Sequence, residues 1–185
     1  MKLSLLTLLT FFIIGGYAMA AEKETKSVVL AGGCFWCLEP PYDNAEGVKK
    51  TTVGYIGGKK ETANYEAVSE GNTGHREAIK VEYDPKVIAY EALLEIFWKN
   101  IDPADAKGQY ADRGFQYTTA IYAADETERK LAESSKAGWE RKSEKPVATV
   151  IEDAKEFYPA EDYHQEYYKK NEVRYNVYKH SSGRK

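Results

Sequence analysis

Only two cysteines stand among the 185 residues, and none follows Cys37. In an oxidising compartment a structural disulfide usually joins residues far apart in the chain, because closing a long loop removes more unfolded-state entropy. Cys34 and Cys37 lie three apart, so a bridge between them stabilises little, and the pair reads as a redox couple rather than a staple. Histidine is scarce as well. A structural zinc site asks for four ligands, and two thiols with the scattered His75, His164 and His180 do not supply one, so no metal is expected. Basic charge is not in surplus: 26 Lys and Arg stand against 29 Asp and Glu, a formal net charge of −3. Neither nucleic acid nor an anionic membrane surface is therefore an expected partner. Beyond residue 20 there is no long apolar run, no repeat at a fixed period and no low-complexity tract, which leaves no stable membrane association to expect.

What is present begins with an N-terminal signature. Lys2 precedes an apolar run from Leu3 to Ile14, and Gly15, Gly16 and Tyr17 lead into Ala18-Met19-Ala20. The run is short of the roughly 20 apolar residues that span a bilayer, and the small-x-small pattern suits signal peptidase. Residues 1–20 are expected to be a cleaved signal peptide, and the product to be exported, periplasmic or secreted. Residues 21–185 are enough for one domain with its own core and too few for two comfortable ones. A monomer is expected.

Along that domain, Ser27 to Leu30 is a β-branched apolar run broken by Ala31-Gly32-Gly33, which predicts strand, glycine turn and helix around the cysteines. Gly47 to Tyr55 and the stretch Ala78, Ile79, Val81 and Tyr83 predict two further strands, with a loop over 59–75 between them. Leu93, Leu94, Phe97 and Trp98 form the stripe of an amphipathic helix from Tyr90 to Ile101. An ordered loop follows from Asp102 to Gly114, then a strand over Gln116 to Tyr122. A charged helix over Asp125 to Lys142 carries Leu131 and Trp139 as core contacts, and Pro146 to Ile151 is a last strand. Ala160 to Asn171 predicts a final helix with Tyr163, Tyr167 and Tyr168 on one face, and from Arg174 the chain reads as a frayed tail. The expected fold class is α/β in the α+β sense: a single-domain, two-layer sandwich with a mixed sheet and packed helices, its strand order not legible.

A thiol attacks only as thiolate, and Cys34 sits where the first free amides and positive end of a helix favour the anion. Cys37 lies about one turn on and can reach back to an oxidised Cys34. Phe35 and Trp36 between them are either core anchors or walls of an apolar pocket, and CFWC alone does not choose. Pro40 and Pro41 fall inside the expected helix, where a proline costs roughly 3 kcal/mol, so a single turn and a kink are expected.

Ala31 to Pro41 reads AGGCFWCLEPP, and this stretch resembles the active-site signature of peptide methionine sulfoxide reductase A. The resemblance continues through Gly54-Tyr55, Gly57-Gly58, Asn64-Tyr65, Gly71 to Glu77, Tyr83-Asp84-Pro85, Gln109 to Tyr117 and Tyr163-His164-Gln165. It implies that Cys34 attacks the sulfoxide sulfur while Glu77 supplies the proton that lets oxygen leave. It also implies that Tyr65 and Tyr117 hydrogen-bond that oxygen, that Phe35 and Trp36 wall a methyl pocket, and that Asp112 helps to organise the site. The implied substrate is methionine sulfoxide, protein-bound or free and of the S epimer. No cofactor is implied. Cys37 would resolve the sulfenic acid to a disulfide, which a thioredoxin-like external dithiol recycles. Many relatives carry Gly where Cys37 stands and keep resolving cysteines near the C-terminus; with none here, recycling must use Cys37 or act directly on Cys34.

The reaction asks for these residue types. A sulfoxide is a poor electrophile until its oxygen is protonated or strongly hydrogen-bonded, and a positioned acid contributes on the order of 10²–10⁴-fold. Burial beside aromatic surface would keep the Glu77 carboxyl protonated near neutral pH. Taken singly, Glu77 is as compatible with a solvent-facing carboxylate, Tyr65 and Tyr117 with half-buried structural tyrosines, and Asp112 with a turn cap. His75 and His164 read as structural. The alternative function is a thioredoxin-like thiol-disulfide oxidoreductase, because an exported CxxC after a strand is that signature too.

Overall fold

The computed structural model describes residues 25–143 and 145–184; the expected signal peptide lies outside the described residues. Six strands form one sheet: β1 (Lys26–Gly32), β2 (Val48–Ile56), β3 (Arg76–Tyr83), β6 (Thr119–Ala123), β7 (Val150–Asp153) and β8 (Phe157–Pro159). Their order is β7-β6-β1-β3-β2-β8. Neighbours run antiparallel except β6 and β7, which are parallel, so the sheet is mixed as expected. The short β4 (Gly108–Gln109) and β5 (Asp112–Arg113) pair separately within the expected loop.

Alternation of side chains along the strands divides the sheet into two unlike faces. Val28 and Leu30 of β1, Val53 and Tyr55 of β2, Ile79 and Val81 of β3, and Ile121 of β6 form one face. Helices cover that face: α1 (Phe35–Asp43), α3 (Tyr90–Lys99) and α4 (Glu126–Glu140). Leu30, Leu93 and Phe97 are fully buried there, each contributing about 1.5–3 kcal/mol. The opposite face is thinner, built on Ala31, Ile56, Ala78, Ala120 and Tyr122. Leu131 and Trp139 of α4 pack half-buried against the main core, and Ala132 is buried outright.

Three local expectations ahead of β6 are corrected. Helix α1 does not stop after one turn; it runs nine residues through Pro40 and Pro41 to a cap at Asn44. The prolines deprive the Trp36 and Cys37 carbonyls of their amide donors, but Phe35, Leu38 and Tyr42 are each fully buried, and at about 1.5–3 kcal/mol for a large apolar side chain their burial outweighs that loss. The 59–75 segment contains α2 (Tyr65–Ser69), whose start is capped by Asn64 Oδ1 accepting from the Ala67 amide at 3.0 Å. Phe115–Tyr117 is a 3₁₀ turn, and β6 begins only at Thr119.

The C-terminal region differs most. Glu166 adopts a left-handed backbone with φ of 51°, which interrupts the expected 160–171 helix and leaves α5 (Tyr167–Lys170) as a single turn. Tyr163, Tyr167 and Tyr168 consequently share no face: Tyr163 is exposed, Tyr167 stacks on Trp36, and the Tyr168 hydroxyl donates to Asp43 at 2.7 Å. The expected frayed tail is α6 (Glu172–Ser181), with Tyr175 buried.

Candidate active site

Strand β1 ends under the helix layer, and Gly33 turns the chain with φ of 84° into Cys34, the residue preceding α1. A Cβ on Gly33 would meet the Arg184 Nη2 at 2.4 Å and Gln109 Cβ at 2.6 Å. The turn therefore needs glycine both for its backbone and for the close approach of those side chains. Cys34 and Cys37 are free thiols, 6% and 7% exposed.

A pocket of about 70 Å³ opens at Cys34, lined by Phe35, Trp36, Tyr65, Glu77, Asp112, Tyr117 and Tyr178. All the residues singled out in the sequence thus meet there except Cys37, although they come from α1, α2, β3, β5 and the 3₁₀ turn. A larger cleft of about 620 Å³ lies elsewhere, lined mainly by Lys, Asp and Glu from α1, β2 and the segment before α5. Among the described residues it is lined by no thiol, so chemistry and not size selects the smaller pocket.

Glu77 is the second residue of β3, paired with Tyr55 of β2 and 2% exposed. Its Oε2 accepts the Phe35 amide at 3.0 Å. Burial raises its pKa well above the ordinary carboxyl value, the neighbouring Cys34 adds to the rise, and the Phe35 amide opposes it. Tyr65 opens α2 and Tyr117 closes the 3₁₀ turn. Both phenols are raised by burial first and by the Glu77 charge second, so both stay protonated donors.

The expected ionisation of Cys34 by its helix is corrected. Burial raises the Cys34 thiol, and its contact with Cys37 raises it further. The same contact lowers Cys37, with the Arg184 charge assisting against burial. Nor do the nearby amides offset the burial: the first amide of α1 is given to Glu77, and the Cys37 amide to the Cys34 carbonyl at 3.1 Å. A helix start stabilises a thiolate only through amides that are still free. Of the two thiols, Cys37 is the one shifted towards the thiolate.

Four further residues support the site, of which only His164 was read in the sequence as a structural or hydrogen-bonding residue. Tyr178, in α6, donates to Asp112 Oδ2 at 2.6 Å and also reaches the Cys34 sulfur, where it favours the thiolate. His164 accepts the Trp36 indole N–H through Nδ1 at 3.1 Å. Burial lowers the His164 pKa, so the ring is neutral and can accept. Tyr167 lies face to face with Trp36, with centroids 3.9 Å apart. Together they fix the indole that forms a wall of the pocket. Glu161 joins this support, accepting from the Tyr55 hydroxyl at 2.8 Å and from the Tyr65 amide at 2.9 Å. Only the aromatic and acidic density of 161–168 hinted at this role. Among the described residues no group of three or more His, Cys, Asp or Glu side chains could hold a metal ion, and no helix is long and apolar enough to cross a membrane.

Comparison with known proteins agrees with this arrangement. The family model described as peptide methionine sulfoxide reductase matches residues 26–185. The chain is 49% identical over 166 residues to peptide methionine sulfoxide reductase MsrA of Bacillus pumilus, covering 89% of this chain and 93% of that protein. Among solved structures, reduced Mxr1 of Saccharomyces cerevisiae superposes with a TM-score of 0.77 at 35% identity, covering 80% of this chain and 86% of that one. Mxr1 in complex with Trx2 superposes with a TM-score of 0.55 at 28% identity, covering 77% and 84%.

Proposed function

The chain belongs to the peptide methionine sulfoxide reductase family and is a methionine sulfoxide reductase; from that premise we propose that Cys34 is its nucleophile, Glu77 its acid and Cys37 its resolving thiol. The observation that carries the proposal is the convergence of a buried thiol, a buried carboxyl of raised pKa and two phenol donors on one pocket of about 70 Å³. That volume is about twice a water molecule's share of the liquid. It accommodates a methyl sulfoxide head and leaves the rest of the substrate outside, which suits both free and protein-bound methionine sulfoxide.

In this reading the methyl group lies against Phe35 and Trp36, and the oxygen faces Glu77, Tyr65 and Tyr117. Glu77 gives its proton to the oxygen as the Cys34 sulfur bonds to the substrate sulfur, and the carboxylate so formed takes up the Cys34 proton. The hydroxyl then passes to Cys34, and methionine leaves as the thioether. One thiol is oxidised to sulfenic acid and one sulfoxide is reduced, with no other electron source needed. Tyr178 and Asp112 hold the geometry around the sulfur. Cys37 next condenses with the sulfenic acid, releasing water and forming the Cys34–Cys37 disulfide. Fixing the methyl and the oxygen on different walls leaves only one face of the sulfur open to Cys34 and so selects a single epimer, which the family resemblance implies is S. Mxr1 has been captured with Trx2, which supports a thioredoxin-like dithiol as reductant here. Family membership displaces the alternative of a thioredoxin-like exchanger. We further propose that residues 1–20 direct export and are removed.

Mass spectrometry after a single turnover without reductant tests the mechanism. The reduced protein is expected to lose two hydrogens through a Cys34–Cys37 bond, and C37S to accumulate a sulfenic acid on Cys34. Turnover without either product would sink the assignment. The same measurement on protein expressed from the complete sequence reads whether the chain begins at Ala21.

A further inference from the structure

Cys37 lines a cleft of its own, of about 400 Å³, distinct from the pocket at Cys34. Lys99 at the end of α3, Lys179 in the last turn of α6, and Arg184 stand on its wall with Tyr110 and Tyr175, and among the described residues no acidic side chain lines it. The protein as a whole carries a net charge of −3, so three cations with Asp112 alone nearby, 3.8 Å from Arg184, are a local inversion of its charge. Lysines in the last turn of a helix ordinarily answer its terminal carbonyls. Arg184 meets such a carbonyl, that of Asn100 capping α3, only at 3.5 Å.

That arginine is 8% exposed, yet its Nε has no acceptor among the described residues. Its terminal nitrogens reach the Asn100 and Gly32 carbonyls only at 3.5 Å, and Asp112 stands 3.8 Å away. The guanidinium lies 4.7 Å over the Tyr110 ring. A buried guanidinium is ordinarily held by short, often paired bonds to oxyanions, so donor capacity is left over on the wall of this cleft. The volume falls in the range of small-molecule sites, about 300–1,000 Å³. Cys37, recessed at 7% exposure, is reached more readily by a slender molecule than by the surface of a folded protein.

We propose that this cleft binds a carboxylate-bearing thiol peptide, and that such a thiol can reduce the Cys34–Cys37 disulfide by attacking Cys37. The reductive half rests on the reading that this disulfide forms. The peptide thiolate attacks the Cys37 sulfur, a new sulfur–sulfur bond forms there, and Cys34 departs as thiolate and is protonated. A second peptide thiol attacks the peptide sulfur of the mixed disulfide and releases Cys37. Two peptide thiols are oxidised to one peptide disulfide, their two protons passing to Cys34 and Cys37. Arg184 and Lys179, whose charges favour the Cys37 thiolate, assist its departure.

Calorimetry on the reduced full chain tests the binding half without any sulfur chemistry. The probe is S-methylglutathione, whose sulfur is blocked and whose two carboxylates are free, beside its diethyl ester. Saturable binding of the free acid is expected, about tenfold or more tighter than the ester. It should weaken about two- to fivefold for each of K99Q and K179Q and fall with added salt. No saturable binding, or equal affinity for acid and ester, overturns the site. The oxidised protein, prepared by sulfoxide turnover or by diamide, is then reduced with glutathione or its diester. A faster rate per thiolate for the acid is expected; equal rates, or reduction by a protein dithiol alone, overturn the attack. Failure of turnover to form the disulfide would instead count against the proposed function, and the calorimetric result would stand.

Discussion

Glu77 carries the sharpest consequence at the scale of single residues. Its buried carboxyl holds its proton well above the usual carboxylate range, so the acid is present at neutral pH and is lost as pH rises through that raised pKa. E77Q keeps the amide acceptor for Phe35 but has no proton to deliver. The expected result is a loss of about 10²–10⁴-fold in kcat/KM and the absence of the alkaline limb expected of the wild type. An unchanged pH profile in E77Q would place the acid elsewhere. The residue types were legible in the sequence because sulfoxide chemistry requires them. Their protonation was not: a helix start suggested a Cys34 thiolate, whereas the folded chain gives that amide to Glu77.

At the scale of elements, α6 determines more of the site than its sequence suggested. A tail with Val173 and Val177 exposed has no obvious buried stripe, so it reads as frayed. Tyr175 and Tyr178 lie three apart and turn together towards the thiols, and α6 thereby delivers the hydroxyl that favours the Cys34 thiolate. In Y178F the rate of Cys34 alkylation against pH should shift towards higher pH, with the circular dichroism of the protein unchanged. A profile superimposable on the wild type would remove Tyr178 from the site. Helix α1 shows the converse error: its prolines forecast a break, but burial of Phe35, Leu38 and Tyr42 carries the helix past them.

Across the whole molecule, Glu39 links the thiol helix to the C-terminal segment. It is 1% exposed, and its Oε1 accepts the Glu166 amide at 2.8 Å, at the left-handed corner before α5. Its Oε2 has no partner. Burial, with Asp43 and Glu166 adding to it, raises its pKa to about 7. An unfolded glutamate titrates at about 4.3, so the folded state binds the extra proton. The associated stability is complete below that value and is lost as pH rises towards 7. E39Q retains the acceptor and should gain stability over the wild type progressively across that window, read as urea midpoints from pH 4 to 8. Parallel curves would show that Glu39 does not titrate there. Glu77 adds a slope of the same sign, so E39Q flattens the pH dependence without abolishing it.

The sequence by itself determined the chemistry and the layers. A CxxC after a glycine turn, a carboxyl in GHRE and tyrosines at 65 and 117 point to the reaction through their joint resemblance to a known family, although each alone is as compatible with a structural role. Periods of two and of 3.6 likewise mark the strands and the main helices, because burial on one face repeats with the backbone. Strand order, the charge state of the thiols and the contribution of residues 161–184 were decided only by tertiary structure. Each depends on which groups from distant segments take one another's hydrogen bonds and exclude water, and no local pattern in the chain records that.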